Sequence, residues 1–184
     1  AIWPIKFNDA SNELESLYAT IQKKSGVIEK FLLDNGFSED EISVSPPSIR
    51  DLKAQGYYDA SKNPFRYTSI STVTVYTEKI DNVLSTQDKL IDLGKKGIAL
   101  ATQDWDSRVQ YLFTKLNDIK PDMIEEATKN AREAAEKFAN DSNSEIGKIK
   151  SATQGQFTIN NRDSNTSHIK TVRVVVTLQY YLAD

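Results

Sequence analysis

Residues 171–182, TVRVVVTLQYYL, constrain the fold of this chain more than any other stretch. Val172, Val174, Val176, Leu178, Tyr180 and Leu182 fall on one side, and Thr171, Arg173, Thr177 and Gln179 on the other. Side chains alternate across a strand with period two, so the pattern predicts a strand with one face buried and one in water. Such a strand needs neighbouring strands and a layer over its apolar face. Residues 72–77, TVTVYT, answer residues 171–176, TVRVVV, and both follow a turn-rich connection. The echo is short, but the order of elements around it repeats as well.

Read from the start, residues 1–7 are rich in β-formers, and Pro4 points to an edge or a bulge, because proline cannot donate to a ladder. Leu14, Leu17, Tyr18, Ile21, Ile28, Phe31 and Leu32 share one helical face. They predict a helix over about 12–35, with Asn12 and Glu15 as a capping pair and Gly36 as the stop. Gly26 should weaken that helix locally. Residues 41–54 read as a strand interrupted by Pro46 and Pro47, and residues 65–77 as its hairpin partner. A second helix follows over 79–94, begun by Thr77 and ended by Gly94 with Lys95 and Lys96. Residues 98–114 read as extended. A third helix, about 121–140, has Pro121 in its first turn and an inward stripe of Ile124, Ala127, Ala131, Ala134, Ala135 and Phe138. Two strands, 146–159 and 168–182, close the chain around the turn 160–165.

The expected fold is therefore α+β: two βαββ repeats, 1–78 and 97–184, joined by a linking helix 79–94 in a single domain. Its sheets are antiparallel or mixed, with helices on one face. A length of 184 residues suits one such domain. With 39% hydrophobic and 27% charged residues the composition is globular. The net charge of −3 does not favour nucleic acid, which draws on concentrated Lys and Arg. The chain has no cysteine, which removes disulfides, thiolate metal sites and cysteine nucleophiles while leaving the compartment open. Ala1 stands where Met would be expected, so a segment such as a signal peptide or anchor is expected to have preceded it.

No recognised catalytic pattern emerges. His168 is the only histidine; it neighbours Ser167, but no G-x-S-x-G elbow accompanies it. Asp141, Asn143 and Glu145 imitate the start of a calcium loop. That loop needs glycine sixth and glutamate twelfth, where this chain has Ile146 and Ala152, so a helix end with a polar turn is the better reading. Neither G-x-G-x-x-G nor a P-loop occurs, and no catalytic residue, cofactor or metal is expected. Tyr57 and Tyr58 sit in a long polar loop that either contacts a partner or folds back over the sheet. Tyr180 fits the inward face of its strand, which leaves Tyr181 as a surface candidate for a partner contact.

EEATKNAREAAEKFA, then IGKI, then KTVRVVVTLQYYL resemble the C-terminal signature of the SIMPL domain. Ala127, Ala131, Arg132, Ala135, Phe138 and Ala139 match its Ala-rich helix, and Gly147 and Ile149 its strand start. DNGFSEDEISV and TVTVYTEKIDNV resemble its central portion, so the likeness covers nearly the whole chain. It departs after the Ala-rich helix, where NDSNSE stands in place of a glycine. The resemblance implies an α+β protein of the bacterial periplasm or envelope, with no established catalytic residues and suggested links to stress protection and self-assembly. Two functions follow as expectations. One is a non-catalytic protein that works through contacts, first with copies of itself. The other is a ligand-binding or enzymatic domain with a pocket between the repeats.

Overall fold

The computed structural model describes residues 1–54, 56, 63–101 and 105–183, with the backbone alone at Trp105. The fold is α+β with antiparallel sheets, and it forms two compact units, Ala1–Leu112 and Phe113–Asp184.

The first unit contains β1 (Ile2–Ser11), α1 (Leu14–Asp34), β2 (Ile42–Val44), β3 (Ser48–Asp51), β4 (Tyr67–Tyr76), α2 (Ile80–Gln87) and α3 (Ile91–Lys95). β4 is central: β1 pairs along one side of it, and β2 and β3 share the other. Pro46 and Pro47 fall between β2 and β3, where the expected strand was interrupted. Trp3, Ile5 and Phe7 of β1, Val73 and Val75 of β4, and Leu17, Ile21, Ile28, Phe31 and Leu32 of α1 form the core. Alternation on the strands and helical spacing on α1 bring these side chains to one shared layer.

Pro4 lies on the outer edge of the sheet. The Ile2 amide donates to Gln110 O, the Asn8 amide donates to Ala99 O, and Lys6 O accepts from the Ala101 amide. Even-numbered residues of β1 therefore turn their backbone away from β4. Pro4 shares that parity, so its missing N–H costs no bond to β4. Gly36 stops α1 as expected, with φ of 90° and the Phe37 amide donating back to Leu32 O. The expected capping pair does not form, because Asn12 Oδ1 accepts the Arg66 amide instead. Gly26 sits within α1 with nothing within 4 Å of where a Cβ would be. Gly26→Ala is expected to stabilise the first unit by about 0.5–1 kcal/mol, read as a higher urea midpoint at unchanged slope.

Two expectations are corrected. The helix expected over 79–94 is broken into α2 and α3 by a turn in which Lys89 and Leu90 donate to Thr86 O and Gln87 O. These i→i+3 bonds tighten the chain, and Val83 and Leu93 are both buried in the same core. Residues 98–114 do not form the first strand of a second repeat. Among the described residues they make isolated bridges, Leu100 to Phe7 and Gln110 to Ile2, so residues up to Leu112 join the first unit.

The second unit contains α4 (Leu116–Asp141), β5 (Glu145–Gln154), β6 (Thr158–Asn161), β7 (Lys170–Arg173) and β8 (Val176–Ala183). α4 begins five residues before Pro121, because Leu116 and Ile119 continue the inward spacing upstream. β5 pairs with β8 and β6 with β7. The Gly155 amide donates to Val175 O at 2.8 Å, which carries the ladder through the break between them. The two expected strands thus form one long hairpin, interrupted between β5 and β6 and between β7 and β8. At its tip the Asp163 carboxylate accepts from Thr166 Oγ1, Arg162 Nε and the amides of Asn165 and Thr166. These bonds, the Thr166 hydroxyl first, hold the carboxyl far below its ordinary range.

Candidate interaction surface

The second unit buries little. Among the described residues its one buried hydrophobic side chain is Ala139, while Phe138, Ile149, Val175, Tyr181 and Leu182 are exposed. The inward face of α4 explains part of this. Ile124, Ala127, Ala131 and Ala135 are half-buried on it, and alanines bring little apolar area to a contact. Two members of the expected stripe are corrected: Ala134 is exposed, and Phe138 is 77% exposed. Ala139 takes the inward place at the helix end instead, where the Ser144 amide donates to its carbonyl and Asn143 adopts φ of 53°. This left-handed turn is what the calcium-like spacing encodes. Among the described residues no group of three or more His, Cys, Asp or Glu side chains is placed to hold a metal.

The β5–β8 ladder holds register at Gln179, Leu178, Thr177 and Val176, opposite Ser151, Ala152, Thr153 and Gln154. Towards the other end β5 carries extra residues between Ile146 and Ile149 and again between Ile149 and Ser151. Gly147 makes the first irregularity fit, since a Cβ there would lie 3.0 Å from Tyr181 O. Gly147→Ala is expected to cost about 1–2 kcal/mol, because backbone must move to admit the methyl; thermal unfolding measures it.

Of the three tyrosines expected at a partner contact, Tyr181 stands on the open face of β8, 57% exposed, with Lys150 Nζ 5.9 Å from its ring centroid. Tyr57 and Tyr58 lie outside the described residues. Tyr180 is half-buried on the opposite face, as alternation requires, and His168 is half-buried between β6 and β7.

The first unit holds two polar clusters that sequence reading missed. In one, the Lys24 ammonium and the Asp9 carboxylate meet at 2.6 Å, and both side chains are mostly buried. Asp9 Oδ2 is buried without a partner, as are the hydroxyls of Ser25 and Ser71. The pair lines a groove of about 510 Å³ with Phe65, Ile70 and Ala99. No local spacing announces it, because residues 15 apart meet only after α1 folds back on β1. In the other cluster, Glu41 accepts the Ser38 amide at 2.9 Å, the Ser38 hydroxyl at 3.0 Å, Thr77 Oγ1 at 2.5 Å and Lys79 Nζ at 2.8 Å. Burial pushes its carboxyl up, but the bonds from Lys79, Thr77 and Ser38 together outweigh that and bring it down to about 2. Ser38-x-x-Glu41 is a capping-box spacing, the one sequence signal that marks this cluster.

A family model described as SIMPL, protein of unknown function (DUF541), matches residues 1–180. No curated protein matches the chain. Because the match covers both compact units almost completely, the chain belongs to the SIMPL family.

Proposed function

We propose that this protein works without catalysis, through protein contacts and first of all with copies of itself. We assign it to the bacterial periplasm or cell envelope, with a part in envelope stress protection. The location and the stress role rest on the family likeness alone. The self-contact rests on one observation: a unit of 72 residues leaves Phe138, Ile149, Tyr181 and Leu182 exposed, and among its described residues buries one hydrophobic side chain, that of Ala139. Large apolar side chains gain roughly 1.5–3 kcal/mol each on full burial, so a partner that covers several of them is strongly favoured. Multi-angle light scattering across a concentration series tests the reading. A dimer or larger assembly is expected, and a monomer at the highest concentration would overturn it.

A second reading, small-ligand binding, is favoured by the groove at Asp9 and Lys24, where a buried carboxylate oxygen lacks a partner. A donor head group with an apolar body would suit that oxygen and the Phe65 and Ile70 walls. Calorimetric titration with small alkyl amines decides it: a saturable heat abolished by Asp9→Asn supports binding, and no heat removes the reading.

A further inference from the structure

The proposed self-contact has a specific seat in the second unit. We infer that two copies of this chain join by antiparallel pairing of β8 with β8, about a two-fold axis through Gln179, an assignment that rests on the self-contact reading.

The two outer edges of the β5–β8 sheet are built differently. β5 carries Glu145, Lys148 and Lys150 and two register irregularities. Lysines and bulges are devices that keep a strand edge from pairing. β8 has none of them: VTLQYYLA contains no Lys, Arg, Asp, Glu, Pro or Gly. Among the described residues β8 pairs with β5 alone. In the first unit the matching strand, β4, has both sides filled, by β1 on one and by β2 and β3 on the other. In the stretch that corresponds to β1 in the second repeat, Leu100 and Gln110 bridge β1 itself. The open side of β8 therefore has no claimant within its own unit.

The register is set by the hydrogen bonds. Because the Gly155 amide donates to Val175 O, residues 175, 177 and 179 turn their backbone groups to β5. Val176, Leu178, Tyr180 and Leu182 then present theirs to the open edge. A two-fold axis at Gln179 pairs Leu178 with Tyr180 of the second copy and Val176 with Leu182, so all four residues bond across the edge. On the exposed face Thr177 comes opposite Tyr181, a β-branched and aromatic pair of the kind that stabilises cross-strand contacts. The strand is uncharged, so antiparallel self-pairing sets no like charges against each other. The occupant is thus a second copy rather than a basic or acidic partner.

The absence of cysteine makes the test free of background. In this register two Gln179 residues form a non-hydrogen-bonded pair, with Cα atoms about 4.5 Å apart, within disulfide reach. Gln179→Cys is expected to form a disulfide dimer on mild oxidation. Thr177→Cys alone is not, because the two copies of residue 177 are then about 14 Å apart at ~3.4 Å per residue. An equimolar mixture of Thr177→Cys and Tyr181→Cys is expected to cross-link as the mixed dimer, which keeps the test valid if Gln179→Cys folds poorly. If light scattering shows a dimer and neither Gln179→Cys nor the mixture cross-links, the contact lies elsewhere and only the β8 assignment falls. If the protein is a strict monomer, both the assignment and the self-contact reading fall.

Discussion

Phe7→Ala is expected to lower the stability of the first unit by about 3–5 kcal/mol, read as a shift in the urea midpoint of a tryptophan-fluorescence transition. Phe7 is fully buried, at the middle of β1, where it pairs with Ser71 of β4 on one side and bridges Leu100 on the other. The buried layer around it comes from β1, β4 and α1 together, so no single neighbour can collapse into the space the ring leaves. Phe7→Leu, which retains most of the volume, is expected to cost less than half as much. Trp3 reports the transition well, since it is buried in the same core and meets Phe37 edge to face at 6.2 Å. Equal losses for the two variants would show that the ring's shape and not its buried volume is what the core requires.

The two units differ in how much apolar surface each buries, and that difference bears on function more than any single site does. The first unit sets a 21-residue helix with six inward residues, Leu17 and Phe31 among them, against a strand face of Trp3, Ile5 and Phe7. The second sets an alanine face against a two-stranded ladder. Small side chains let α4 approach its strands closely, but they bury little area. A ladder of two strands is marginal by itself; α4 gives it a second layer, but an alanine face makes that layer thin, and further strands would add to it. Adding β8 of another copy makes the ladder four strands wide without altering the fold of either chain.

Much of this fold could be read from the chain, and the reasons are local. Val176, Leu178 and Tyr180 alternate cleanly, so β8 and its half-buried face were legible. Gly36 stopped α1 because its positive φ is a local demand that glycine meets. The break between α2 and α3 was not legible, because its i→i+3 bonds involve no proline and its cause is the shared burial of Val83 and Leu93. The fate of 98–112 was hidden for a similar reason. Extended, mixed residues such as those near Leu100 and Gln110 pair with whichever edge tertiary structure offers, and β1 offered one. Phe138 misled by its spacing: it matches the family's apolar position and sits one place off the inward face that Ala139 takes. At the candidate surface Tyr181 was found by alternation, while the open edge of β8 was invisible, because which strands lie beside it is a property of topology and not of sequence.

Acid is expected to destabilise the first unit, with Glu41 as a main cause. Its folded pKa is about 2 against an ordinary 4.5, so the unfolded chain binds its proton first as pH falls. The stabilisation is fully present above about pH 4.5 and is lost progressively as the pH approaches 2. Its size is about 1–2 kcal/mol once solvent screening of the half-exposed Lys79 is allowed for. Asp51, held down first by its bond from Arg66, shifts in the same direction and adds to the acid sensitivity. Glu41→Gln removes the titration while keeping an acceptor for the Ser38 amide, so its stability should vary less between pH 5 and pH 2.5 than that of the parent chain. Glu41→Ala removes the acceptors altogether and leaves the Thr77 O–H, on a residue 4% exposed, without its acceptor, while its oxygen still accepts the Lys79 amide. It is expected to cost about 2–4 kcal/mol at pH 7, since bonds to a charged group are worth roughly 1.5–3 kcal/mol and are not additive. Urea midpoints of the three proteins at pH 7, 5, 4 and 2.5 test both effects. An acid slope in Glu41→Gln as steep as the parent's would remove Glu41 from the account and leave Asp51 and the other hydrogen-bonded carboxylates as its source.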